Sequence, residues 1–183
     1  QATIYTPEAC IGLFAAVYGN AAIKDITLDR VTIEPSAEKS PKWVGSLVGY
    51  SKGTGTTYTN CIAKNVKILT EGTNSFRVGG LIGYIEKNKG TSDATATLTG
   101  CKVETANIAA SFSYGGSLYD SVTFTDCHTS NITLALNGDC TSNLGYVSKF
   151  IGDVANNTTH NRVIIFNNCS ADLLTSQEQA ALN

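Results

Sequence analysis

Apolar and polar residues alternate through five stretches of the chain, and the five stretches align with one another. They are IKDITLDRVTI (23–33), YTNCIAKNVKI (58–68), LTGCKVETANI (98–108), FTDCHTSNITL (124–134) and FNNCSADLL (166–174). The register is set by Ile26, Cys61, Cys101, Cys127 and Cys169. Three residues before each of these anchors stand Ile23, Tyr58, Leu98, Phe124 and Phe166, and five after stand Val31, Val66, Ala106, Ile132 and Leu174. Seven after come Ile33, Ile68, Ile108 and Leu134. Within a copy the apolar positions recur every second residue, the period of a strand. The period slips once, between two and five residues after the anchor, and the slip predicts a corner. The residue before each anchor is Asp25, Asn60, Gly100, Asp126 or Asn168. These types tolerate the left-handed backbone region, so a second bend is predicted there.

A second landmark precedes each anchor: GLFAAV, GSLVGY, GGLIGY, GSLYD and KFIGDV. With Leu13, Leu47, Leu81, Leu118 and Phe150 as markers, the steps are 34, 34, 37 and 32 residues, while the marker-to-anchor gaps run 13, 14, 20, 9 and 19. A held repeat length with variable internal loops is solenoid behaviour, strands stacking coil on coil and insertions going into loops. The pattern predicts an all-β fold, a right-handed parallel β-solenoid (β-helix) of about five coils. Each coil carries roughly three short strands, spaced ~4.8 Å from the next. A β-sandwich does not explain five copies in one register. The chain reads as one domain over 1–183. Residues 1–12 are an N-terminal cap or junction, 13–174 the coils and 175–183 a C-terminal helix. That helix is expected near 176–182, from the Thr175–Glu178 capping box and the helix formers after it.

Composition narrows the function classes. The chain has 183 residues with 13 basic against 15 acidic, a net charge of −2, so no basic excess is there to neutralise phosphates and a nucleic-acid partner is not expected. Charged residues are only 15% and apolar ones 42%, an ordered β-rich balance. No apolar run approaches the ~18 residues of a membrane span, so no membrane insertion is expected. The sequence has no Met and begins with Gln, and it is expected to be a fragment of a larger or processed protein. Its cysteines are Cys10, Cys61, Cys101, Cys127, Cys140 and Cys169, with no CxxC pair.

The segments VGSLVGY (44–50) and VGGLIGY (78–84) resemble the GLUG motif, a short Gly-Leu-any-Gly element repeated in bacterial cell-surface and secreted proteins. The intervening C-x-x-x-N-h-x-h stretches are similar to the spacers between GLUG motifs in surface proteins of gut Bacteroidetes. GLFAAV and GSLYD lack the second Gly of the motif, and KFIGDV lacks the first. The resemblance implies a β-solenoid and an exported, surface-attached life, often as an adhesin-like module. It supplies no catalytic residues.

Several constellations are weighed on their chemistry. The column of Ile26, Cys61, Cys101, Cys127 and Cys169 reads as a buried structural ladder, since Cys packs as a small apolar residue. A linear stack does not converge on a metal as a tetrahedral site must, whereas coil spacing does fall in the range a disulfide needs. Thr57/Thr59, Thr97/Thr99 and Thr123/Thr125 form an outward grid. Such a grid suits an exposed strand face, or an ice-binding face. Asp25 and Asp126 stand three coils apart, about 14 Å, too far for paired glycosidase carboxyls. Asp29 and Glu104, at about 9.6 Å, reach the upper limit of an inverting pair, with Lys64 between them. His128 and His160 read as surface residues. YSKGTGTT (50–57) lacks the Lys-Ser/Thr ending of a phosphate loop. Asn131, Asn156, Asn157 and Asn168 fall in N-x-[ST] contexts, which matter only in a eukaryotic secreted protein.

Loops on a rigid scaffold carry binding, which directs attention to 84–95 and 152–162. There Tyr84, Lys87, Lys89, Asn156 and His160 are the candidate sugar-contacting groups. The expectation is a non-enzymatic exported module, at the cell surface or extracellular, with no catalytic residue, metal or cofactor. It would recognise glycans or host or extracellular proteins, or serve as a spacer. A carbohydrate-active β-helix enzyme fragment and an ice-binding domain are the alternatives.

Overall fold

The computed structural model describes residues 2–4, 10–34, 43–69, 77–86, 96–110, 113–114, 117–118, 121–136, 153–154, 164–173 and 175–176. These residues are all-β, and their strands pair in parallel. After β1 (Ala2–Ile4) the chain runs in circuits. The first holds β2 (Cys10–Ile11), β3 (Phe14–Tyr18), β4 (Ala22–Lys24) and a split last strand, β5 (Thr27–Asp29) with β6 (Val31–Ile33). The second holds β7 (Trp43–Gly45), β8 (Val48–Lys52), β9 (Thr56–Thr59) and β10 (Ile62–Leu69). The third holds β11 (Arg77–Gly79), β12 (Ile82–Glu86), β13 (Ala96–Thr99) and β14 (Lys102–Ala110). The fourth holds β15 (Ser113–Tyr114), β16 (Ser117–Leu118), β17 (Val122–Thr125) and β18 (His128–Leu136). The fifth contributes β19 (Asp153–Val154), β20 (Ile164–Asn167) and a bridge from Ser170 to His128.

Equivalent strands of successive circuits build four sheets. The first runs β2-β7-β11-β15, the second β3-β8-β12-β16-β19 and the third β4-β9-β13-β17-β20. The fourth runs β1-β6-β10-β14-β18, with β5 beside β10. The architecture is β-helix-like, because every ladder neighbour comes from the circuit before or after. A circuit has four strands where the spacing predicts three. The Gly-Leu-x-Gly landmark is two strands rather than one, broken by a bend at Ser46–Leu47 that is bonded circuit to circuit by Leu13 N–H to Ser46 O and Leu47 N–H to Leu81 O.

The interior follows the columns. Tyr58, Leu98 and Phe124 are buried in the column three before the anchor, and Val31, Val66, Ala106 and Ile132 in the column five after. Ile33, Ile68, Ile108 and Leu134 fill the next. Register pairs place Tyr58 on Leu98 and Leu98 on Phe124. Both bends have positive φ. Asp25, Asn60, Gly100, Asp126 and Asn168 lie between +51° and +62°. Four residues after the anchors, Arg30, Asn65, Thr105 and Asn131 lie between +54° and +58°. The second set is the slip in the apolar period: one left-handed residue turns the strand without ending its pairing, so β10, β14 and β18 run through it. Thr105 is the misfit, a β-branched residue at φ +58°. Thr105→Asn is expected to raise stability by about 1 kcal/mol, read as a higher urea midpoint with an unchanged slope.

One marker is out of step. Leu13, Leu47 and Leu81 are equivalent, but Leu118 pairs with Ile85 and Val154. Val78 pairs with Tyr114 and Tyr84 with Ser117. The step between the first two strands is therefore three residues shorter in the fourth circuit. Phe150, Leu174 and the helix predicted over 176–182, apart from Ser176, lie outside the described residues.

Candidate functional site

Short polar side chains run up the bends as ladders. The Asn60 amide donates to Asp25 Oδ1 (3.2 Å) and the Asn168 amide to Asp126 Oδ1 (2.6 Å). On the second bend the Asn65 amide donates to Asp29 Oδ1 (2.8 Å), and the Asn131 N–H donates to Asp172 Oδ2 (2.5 Å). The Asn65 bond holds the Asp29 carboxyl below its ordinary value, with Arg30 and Lys64 acting the same way. Asp29, Lys64 and Glu104 do stand in one column, but the first carboxylate is engaged by Asn65. His128 bonds Ser170 Oγ through Nδ1 (2.8 Å) and is half-buried. Gly53–Gly55, in the glycine-rich stretch, form a bend. The hydroxyl of Thr56, which follows it, donates to Gly19 O (2.6 Å) in the circuit before.

The register stacks Ile26, Cys61, Cys101, Cys127 and Cys169. Cys61, Cys101 and Cys127 are buried free thiols, Cys169 is a half-buried one, and Cys10 is half-buried. Each buried thiol donates weakly to a carbonyl of the previous circuit: Cys101 to Tyr58 O and Cys127 to Leu98 O, both at 3.5 Å. The Cys101 thiol, flanked by Cys127 and Cys61 and buried, is pushed above its ordinary value. Among the described residues no cluster of His, Cys, Asp and Glu could hold a metal ion. Cys140 lies outside them.

The outer face of the third sheet carries the threonines in register, Thr57–Thr97–Thr123 beside Thr59–Thr99–Thr125. Ala22 and Lys24 flank them on one side, Ile165 and Asn167 on the other. The grid is two wide and three circuits long, and none of its six side chains is charged.

Of the candidate loop residues, Lys87, Lys89, Asn156 and His160 lie outside the described residues. Tyr84 lies within β12 and is only 5% exposed, so its ring is not an open sugar platform. It stacks on Trp43 (5.3 Å, 6°) and Tyr50 (5.5 Å, 12°), and Trp43 stacks on Tyr50 (4.6 Å, 17°). The Tyr50 hydroxyl donates to Glu86, which Lys52 approaches at 3.7 Å. This aromatic and charged cluster was not foreseen. Its only sequence signal is the repeated Tyr after each Gly-Leu-x-Gly, because Trp43 reaches it from another sheet. Burial, then the bond to Glu86, push the pKa of the Tyr50 hydroxyl above its ordinary value; burial pushes that of Tyr58 up to about 12. Both groups hold their proton more tightly folded than unfolded. Stability is therefore full below the ordinary tyrosine value and falls as pH rises past about 10. Urea midpoints should agree at pH 7 and 9 and fall at pH 10.5, and Tyr50→Phe should lessen that fall.

No protein-family model matches the chain, and no curated protein or solved structure is significantly similar to it. What the fold and these surfaces define is a β-helix-like stack of parallel sheets, with a threonine face and polar ladders at its corners.

Proposed function

We propose that this chain is a right-handed parallel β-solenoid module of an exported surface protein. It acts without catalysis in adhesion or ligand recognition, or as a rigid spacer. The observation that carries the proposal is the use of outward polar side chains as rung-to-rung bonds. Asp25, Asp29 and Asp126 are each engaged by an asparagine of a neighbouring circuit. Such groups rigidify a scaffold. The right hand is the rule for parallel crossover connections. The GLUG resemblance of 44–50 and 78–84 supports the exported setting, and glycans or host or extracellular proteins are the ligands proposed. A glycan and host-matrix panel sensitive to millimolar affinity tests the reading. A specific hit weakened by alanine changes at Lys87, Lys89, Asn156 or His160 supports recognition through loops 84–95 and 152–162. A clean negative removes the recognition reading for those ligands and leaves the spacer.

The in-register threonines favour a second reading, an ice-binding face. Their hydroxyls repeat at about 4.8 Å across strands and about 6.7 Å along them, and a regular uncharged grid can order water. Freezing hysteresis that Thr97→Lys abolishes would support it. Hysteresis absent from the unmodified chain would retire it.

A further inference from the structure

Four thiols stand on successive rungs of one column. The register on either side of the anchors sets Cys61 beside Cys101, Cys101 beside Cys127 and Cys127 beside Cys169. All four side chains point the same way, because each thiol donates to the carbonyl two residues before it. Cys61 reaches Thr59 O (3.5 Å), Cys101 Thr99 O (3.7 Å), Cys127 Thr125 O (3.4 Å) and Cys169 Asn167 O (3.3 Å). One conformation repeated at the strand spacing makes a row of sulfurs about 4.8 Å apart. Neighbouring Cα atoms at that spacing fall inside the range of roughly 4.4–6.8 Å that a disulfide spans.

The last pair is braced for closure. Backbone bonds hold the two rungs together on both sides of it, Asp126 N–H to Asn167 O (2.9 Å) before and Ser170 N–H to Cys127 O (3.1 Å) after. The Asn168 amide adds its bond to Asp126 Oδ1 (2.6 Å). Closing the pair removes the thiol protons and ends only weak sulfur donations. Thr125 O still accepts from Gly100 N–H and Asn167 O from Asp126 N–H, both at 2.9 Å. Cys61, Cys101 and Cys127 are buried and Cys169 is half-buried, so an oxidant reaches Cys169 first, and the thiol in register with it is Cys127. The Cys127 thiol is held below its ordinary value, first by the Cys101 thiol beside it, whereas Cys101 is pushed above its own. Cys127 is the ready nucleophile, and Cys101 behind it is not.

We propose that Cys127 and Cys169 form a redox site that exchanges with small-molecule disulfides and closes as a rung-to-rung disulfide, tying the fifth circuit to the fourth. The Cys169 thiolate attacks one sulfur of the small disulfide; a mixed disulfide forms and the first small thiol leaves. The Cys127 thiolate then attacks Cys169 Sγ; the Cys127–Cys169 bond forms and the second small thiol leaves. The two protein thiols give up two electrons and two protons, and the small disulfide carries them away as two thiols. The oxidant is a low-molecular-weight disulfide such as oxidised glutathione, so the chemistry does not depend on the exported setting proposed above. The bond joins residues 42 apart in the chain, and closing a loop of that length restricts the unfolded chain and favours the folded one.

The test equilibrates the folded, reduced full chain carrying Cys140→Ser with oxidised and reduced glutathione at stepped ratios, and quenches it with iodoacetamide. Trypsin cuts after Lys102, Lys149 and Arg162, which leaves Cys127 and Cys169 on separate peptides with no other cysteine. The expected result is that these two peptides appear joined before any other cysteine pair. The urea midpoint should rise with them by about 1 M or more, and reductant should reverse both changes. Cys169→Ser should fold and lose both the link and the shift. Cys169→Ala takes its place if circular dichroism shows that the serine variant does not fold. The proposal is overturned if every thiol stays open to alkylation at all ratios, or if Cys169 stops at the mixed disulfide. A link that joins Cys101 to Cys127 first, or one that leaves the midpoint unmoved, overturns it as well.

Discussion

Replacing Gly45 with alanine is expected to destabilise the fold severely. A Cβ there would sit 2.3 Å from Val48 O, 2.6 Å from Gly83 N and 2.8 Å from Leu81 O. All three are backbone atoms, Val48 and Gly83 within strands and Leu81 O accepting from the Leu47 and Val48 N–H groups, so none can swing aside as a side-chain tip could. The reciprocal position behaves alike: a Cβ on Gly83 would lie 2.7 Å from both Val44 N and Val44 O. The first and second sheets therefore touch backbone to backbone at the Gly-Leu-x-Gly bends. Overpacking in a core costs about 1–3 kcal/mol when side chains can move. Here they cannot, and a loss of about 4 kcal/mol or more is expected, a large share of the roughly 5–15 kcal/mol that holds a domain folded. Gly19→Ala is the control. It has nothing within 4 Å and only its φ of +79° to oppose a side chain, so about 1 kcal/mol is expected. Circular dichroism and urea unfolding of the two variants decide the matter. Equal, small losses would show that the two sheets can separate.

Tyr58→Ala should follow as the second largest effect, about 4 kcal/mol by urea unfolding. The ring is fully buried between Ile23 and Leu98, its column neighbours in the circuits before and after, which hold the space open, so the cavity cannot collapse. Its hydroxyl donates to Ser51 Oγ at 2.7 Å, joining the third sheet to the second across the interior. Tyr58→Phe keeps the volume and removes only that bond. It should cost about 1–2 kcal/mol, because Ser51 is then left buried without it. A Tyr58→Ala loss no larger than that of Tyr58→Phe would mean the interior repacks around the gap.

Much of this architecture is legible in the chain because it is local and repeated. Alternation marks which side chains enter the core. The Asp, Asn and Gly before each anchor mark the left-handed bend, and the slip after it marks the second. These features placed the Cys column and the threonine grid in the circuits where they are found. The candidate binding groups fared differently. Tyr84 is indistinguishable in sequence from an exposed loop tyrosine. Its burial comes from Trp43, which lies 41 residues earlier and on another sheet.

The sequence by itself determined the repeat, its anchor register, the inward columns and the places where the backbone turns left-handed. Each depends on a residue's own conformational and hydrophobic preferences over a few neighbours. Only the tertiary structure decided that a circuit has four strands. It alone shortened the fourth circuit's corner by three residues, so that Leu118 falls beside Ile85. It alone gathered Trp43, Tyr50 and Tyr84 into one stack. These outcomes depend on how closely two backbones approach and on which circuit lies next, and such distances between segments far apart in the chain are set only when the whole stack closes.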